Sequence, residues 1–154
     1  MKNYTCSVVV VGAGPAGLAA AISAKKNGAE NVIVIERENR MGGILKQCIH
    51  AGFGLQYFGQ ELTGPEYAEK FMELAKDAGI EFLLNTTATE IQDKTLYCVN
   101  TEGVAAIHFG ALVLAMSAAE AGKKELFIAA DNAAEASVAD GLTVYPVNSI
   151  TEIV

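Results

Sequence analysis

The chain has no tryptophan, only three prolines and three cysteines, and eleven basic residues against eighteen acidic ones in a length of 154. Each shortage excludes something. Cys6, Cys48 and Cys98 are odd in number and widely spaced, with no C-x-x-C pair; this argues against a disulfide framework or any metal site and for a reducing cytoplasm. A net charge of −7 argues against nucleic acid or an anionic membrane as partner, since both attract basic surfaces. Any phosphate must then be held locally, by backbone amides and a helix end. The apolar run at 18–22 is far too short to cross a bilayer. Residues 1–5 carry one lysine and no apolar stretch, so no signal peptide is expected.

What is present is apolar. Hydrophobic residues make up 51% and charged ones 19%, which suits a packed globular domain of ordinary size. Residues 8–11 are four valines, the pattern of a strand buried on both faces in a parallel sheet. An Ala-rich helix is expected over 15–27 with Gly28 as its C-terminal cap, then a buried strand over 32–35. Residues 37–62 are Gly-rich and lack periodicity, and read as a long loop, functional or mobile. A helix follows over 63–78, capped by Thr63, with Tyr67, Phe71, Leu74, Ala75 and Ala78 as its apolar stripe and Glu66–Lys70 as a surface pair. Strands are expected over 80–84, 86–91, 95–99, 104–109 and 111–115, the last of them buried. A β-α-β pattern closes the chain, with strands over 125–129 and 142–145 around a helix over 131–139.

The turn Gly12-Ala13-Gly14-Pro15-Ala16-Gly17 matches G-x-G-x-x-G. Alone that match is weak, and a glycine turn serving packing only would satisfy it. Here it follows a strand, opens a helix, and precedes an acid, Glu36, at the end of the next strand. Gly12 permits the tight turn, Gly14 lets the backbone approach a pyrophosphate, and Gly17 allows close helix–strand packing. The helix N-terminus offers N–H groups and positive potential to phosphates. Glu36 can accept hydrogen bonds from an adenosine ribose. Up to this point NAD and FAD fit equally.

The stretch "ERENRMGGILKQCIHAGFG" separates them. Residues 4–116 resemble the FAD-binding half of two-dinucleotide-domain flavoproteins, the pyridine nucleotide-disulfide oxidoreductase superfamily in its broad sense. They look most like the NAD(P)/FAD-dependent oxidoreductases of bacterial glycerol 3-phosphate metabolism. The resemblance implies an α/β fold: a Rossmann-like three-layer FAD/NAD(P)-binding domain with a central parallel sheet and a small antiparallel β-meander. It carries cofactor binding onto Gly12, Gly14, Ala16, Gly17, Glu36, Arg37, Gly42 and Gly43, and adenine contact onto Thr87 and Ala88. It implies electron transfer between NAD(P)H and a substrate through the flavin. Cys48 and His50 would lie near the flavin ring as a thiol and a proton donor or acceptor; the plainer alternative is a structural cysteine and a loop histidine. Cys6 and Cys98 read as small core residues, and His108 as exposed or hydrogen-bonded.

The resemblance is incomplete. Ala115-Met116-Ser117-Ala118 stands where the family has a Gly-containing turn, and neither a second G-x-G-x-x-G nor a Gly-Asp motif follows. Residues 121–154 resemble instead a scaffold segment of the magnesium-chelatase-like competence ATPases, without any phosphate loop of their own. A chimera joined near 115–120 is one reading, with 1–116 as the FAD-binding domain and 117–154 completing it. Two functions follow: an FAD-dependent oxidoreductase whose NAD(P)H site lies on another chain, or a dinucleotide-binding module or scaffold without turnover. A sheet edge left open by missing strands would favour a homodimer or a partner chain. Glu36→Ala is expected to weaken dinucleotide binding and leave the fold intact.

Overall fold

In the computed structural model, which describes residues 1–114, 125–129 and 143–147, the valine run is the end of a longer strand. Strand β1 (Lys2–Val11) leads through the glycine turn into helix α1 (Pro15–Lys26). Gly28, at φ +93°, then reverses the chain into β2 (Val32–Ile35). A 3-10 helix (Gly43–Gln47), β3 (Ala51–Phe53), α2 (Leu55–Phe58) and β4 (Leu62–Thr63) occupy the next stretch. Helix α3 (Gly64–Asp77) and strand β5 (Glu81–Leu83) follow. Then come β6 (Thr87–Gln92), β7 (Thr95–Asn100) and β8 (Gly103–Leu114).

Six strands lie in the order β5-β2-β1-β8-β7-β6. The first four run parallel, and β8-β7-β6 form an antiparallel meander. Side chains of a strand alternate between faces, so β1 feeds two cores. On one face Val10, with Val32 and Val34, packs against Leu18, Ala21 and Ile22 of α1 and Ala68, Phe71 and Ala75 of α3. On the other, Val9, Ile33 and Ile35 meet Leu96, Cys98, Ala105 and Ile107 of the meander. The result is the expected three-layer α/β fold. Cys6 and Cys98 are buried, as expected, and desolvation pushes both thiols up to about 11, with Glu81 adding to the effect at Cys6.

Four expectations need correction. The strands expected over 104–109 and 111–115 are one strand, β8, which pairs with β7 through its first half and with β1 along its length. Gly110 makes this continuity possible: a Cβ there would lie 2.8 Å from the Ser7 carbonyl oxygen of β1. The far half of β8 is also not buried, since Ala111 and Val113 are exposed. Residues 37–62 are not a structureless loop. Phe53, Tyr57 and Phe58 pack with Tyr67 and Phe71 of α3 at ring separations of 5.0–6.0 Å, and this aromatic contact fixes the short elements in place. Glu66 does not pair with Lys70. Its carboxylate closes a capping box with Thr63, and the Lys70 ammonium lies 5.2 Å from the centre of the Phe58 ring.

The chain divides into two compact units, Met1–Ala115 and Met116–Val154. In the second, β9 (Glu125–Ala129) and β10 (Thr143–Val147) pair in parallel, as a β-α-β unit requires. The helix expected over 131–139 and the join expected at 115–120 lie outside the described residues.

Candidate dinucleotide site

The glycine turn sits at the carboxyl ends of β1 and β2, where open α/β sheets bind ligands. Gly12, at φ +102°, donates its N–H to the Ile35 carbonyl at 2.8 Å, closing the turn onto β2. Gly14 is the N-cap of α1 with extended backbone. No side chain caps this helix and its first turn holds no acid. Pro15 has no N–H, so the first helical amides open to a ligand are those of Ala16 and Gly17. A Cβ placed on Gly14 meets nothing within 4 Å. The protein's own packing therefore does not demand glycine there, and the space fits the approach of an external phosphate.

Glu36 is 8% exposed. Its Oε2 accepts the Ala13 N–H at 2.8 Å, and its Oε1 accepts the Glu38 N–H at 2.9 Å. A carboxylate has about four acceptor positions, so each oxygen keeps capacity for a ribose hydroxyl. Through these bonds Glu36 also ties the glycine turn to the end of β2. Arg37 is exposed, its Nε 3.7 Å from Glu38 Oε1.

Gly42 and Gly43 complete the cradle. The Gly42 N–H donates to the Ala13 carbonyl at 2.8 Å. Gly43, at φ +51°, packs so closely on the first turn that an added Cβ would lie 3.0 Å from the Gly14 Cα. The structure thus brings Gly12, Gly14, Ala16, Gly17, Glu36, Gly42 and Gly43 to one rim. Thr87 and Ala88 begin β6 beside them, because the N–H of the buried Thr86 donates to the Glu36 carbonyl at 2.8 Å. Asn85, at φ +51°, turns the chain there and donates its N–H to the Glu38 carbonyl at 3.0 Å. Sequence reasoning missed Asn85 and Thr86; an asparagine before a strand was their one signal, since asparagine tolerates positive φ.

Cys48 and His50 lie in the connection from the 3-10 helix to β3, with no hydrogen bond between them. The half-buried Cys48 Sγ lies 3.5 Å from the Ile44 carbonyl, while His50 Nδ1 contacts the Ala51 carbonyl at 3.0 Å and its ring lies against Phe53. His108 is exposed and hydrogen-bonded to Thr95 Oγ1 at 2.9 Å, as expected. A cavity of about 360 Å³ opens on the α3 side, between Arg40, Met41, Lys46, Met72 and Leu84. None of the residues chosen from the sequence lines it.

These features define an α/β dinucleotide-binding domain of the Rossmann-like kind. The chain belongs to the FAD dependent oxidoreductase family, which its residues 7–123 match. It is 35% identical over 98 residues to a thioredoxin reductase of Ureaplasma parvum, a match covering 63% of this chain and 30% of that one. It is 48% identical over 52 residues to a soluble pyridine nucleotide transhydrogenase of Hahella chejuensis, covering 34% and 10% respectively. The chain therefore spans less than a third of either relative. Among solved structures, L-proline dehydrogenase from P. horikoshii superposes with a TM-score of 0.64 at 22% identity, over 75% of this chain and 23% of that one. At that identity the likeness concerns the fold.

Proposed function

We propose that the rim formed by Gly12, Gly14, Ala16, Gly17, Glu36, Gly42 and Gly43, with Arg37 next to Glu36, holds FAD, and that the protein takes part in electron transfer between NAD(P)H and a substrate. The observation that carries this reading is the apposition of the two glycine turns, Gly43 on Gly14 and Gly42 on Ala13, beside an uncapped helix. Two backbone turns at one helix N-terminus suit a pyrophosphate, and an acid at the end of β2 suits the ribose. The flavin, when bound, supplies the redox chemistry that side chains lack. The chain's own residues would bind and orient it, with Cys48 and His50, on the segment that follows the cradle, near the flavin ring as a thiol and a proton donor or acceptor. The match to thioredoxin reductase and transhydrogenase supports NAD(P)H as electron source, with its site on another chain or segment. Ile44, Ile49, Leu55 and Tyr57 expose apolar surface on this same segment, which supports a partner chain or a second copy. Among the described residues no helix is long and apolar enough to cross a membrane; we place the protein in the cytoplasm on its free cysteines.

The likeness of residues 121–154 to a competence-ATPase segment supports a join near 115–120, where the two compact units also divide. On that reading the chain is a binding module without turnover. One experiment separates the readings: the absorption spectrum of the purified protein with FAD, before and after NAD(P)H. A bound flavin bleached by NAD(P)H establishes the oxidoreductase. A bound flavin that stays oxidised leaves a binding module, and failure to retain FAD refutes the oxidoreductase.

A further inference from the structure

Gly64 is the first residue of α3, and its φ lies outside the left-handed region. Its backbone conformation suits any residue, and alanine would serve a helix better. What the position requires is space. A Cβ at 64 would fall 2.6 Å from the Cys48 carbonyl oxygen, 2.7 Å from the Cys48 Cβ and closer still to the Leu45 carbonyl. The Gly64 N–H donates to that Cys48 carbonyl at 2.8 Å, and the Cys48 N–H donates to the Leu45 carbonyl at 3.1 Å. The main chain of Cys48 is thus seated on the first turn of α3.

This seat is one end of a bridge. The 3-10 helix (Gly43–Gln47) starts where Gly43 meets Gly14 and ends at Cys48. One bare glycine contact therefore sets its start on the dinucleotide turn, and a second sets its end on α3. The capping box of Thr63 and Glu66 fixes the start of α3, and Phe71 and Ala75 fix its face on the sheet. We infer that Gly64 is the positioning residue for Cys48, setting the thiol relative to the dinucleotide cradle through the first turn of α3. The inference rests on the reading that Cys48 faces the bound flavin.

Alkylation by iodoacetamide tests it, because Cys48 is the accessible thiol: Cys6 and Cys98 are buried. The rate is read at the Cys48 peptide by mass spectrometry in the full chain, without cofactor. Gly64→Ala is expected to change that rate roughly five-fold or more, since thiol reactivity follows its immediate surroundings. Glu66→Gln weakens the cap of α3 but keeps the Gly64 contact, and should leave the rate within about two-fold. Equal effects from both variants, or none from Gly64→Ala in folded protein, overturn the proposal. If Gly64→Ala does not fold, amide exchange in the unmutated chain decides. Alkylating Cys48 should then speed exchange at the Gly64 amide about ten-fold and spare the middle of α3; unchanged exchange overturns it. Absorption of the FAD-loaded Gly64→Ala protein separates the two readings. A changed thiol rate with an unchanged flavin spectrum keeps the positioning role and removes Cys48 from the flavin.

Discussion

The carboxylate of Glu36 accepts the amides of Ala13 and Glu38, and on the proposed reading it would also accept a ribose when a dinucleotide is bound. Glu36→Ala removes both acceptors and leaves the buried Ala13 amide unpaired beside the cradle, while the amide of the exposed Glu38 can turn to water. An unsatisfied buried donor costs about 1–3 kcal/mol, so the variant should lose stability as well as affinity. Calorimetric titration with FAD and a denaturant curve check this; full stability with lost affinity would mean that the interior bonds are idle. The glutamate as the proposed ribose acceptor was legible in the sequence, because its spacing from a glycine motif points to it. Its second attachment was not, since it depends on where a turn folds back. The two buried thiols make a separate prediction. Their folded pKa values, about 11, stand above the ordinary cysteine value of about 8.5. Stability from keeping them neutral is complete below that ordinary value and is lost as pH rises toward 11. Equilibrium unfolding across alkaline pH should show this decline, and Cys98→Ala should lessen it.

At the scale of elements, the two helices that flank the sheet are built oppositely at their N-termini. Helix α3 is closed by its own capping box, and α1 has no cap at all. Thr63→Ala should cost about 1 kcal/mol by thermal unfolding and leave dinucleotide affinity alone. Gly43→Ala should act on the ligand instead. Both Gly43 and Gly59 have positive φ, so alanine strains either by about 1–2 kcal/mol. Only at 43 does the new Cβ press on Gly14, while at 59 it meets open space. Titration should therefore show affinity falling about ten-fold or more for Gly43→Ala and scarcely moving for Gly59→Ala. The strands, α1 and α3 were legible because period and end signals are local. The elements between residues 43 and 63 were not, because Phe53, Tyr57 and Phe58 find their order only on Tyr67 and Phe71. Cys48 and His50 looked like a pair by proximity in sequence, yet each turns to a different carbonyl.

For the molecule as a whole, β8 joins the parallel sheet to the meander in one strand, and Gly110 is where the joint is tightest. Gly110→Ala should force β1 and β8 apart and lower stability by about 1–3 kcal/mol, seen as a fall in Tm. FAD at one hundred times its dissociation constant would restore about 2.7 kcal/mol, so a ligand-dependent rise in Tm reports binding in the same assay. The pairing that Gly110 permits also orders events in time. Strand β1 is made before its partner, which follows only when residues 105–114 are made. Contacts so distant along the chain form late and slowly. Until then the valines of β1 wait with one neighbour missing, exposed to any other nascent chain. The nucleotide motif is thus complete as a sequence well before it can become a site.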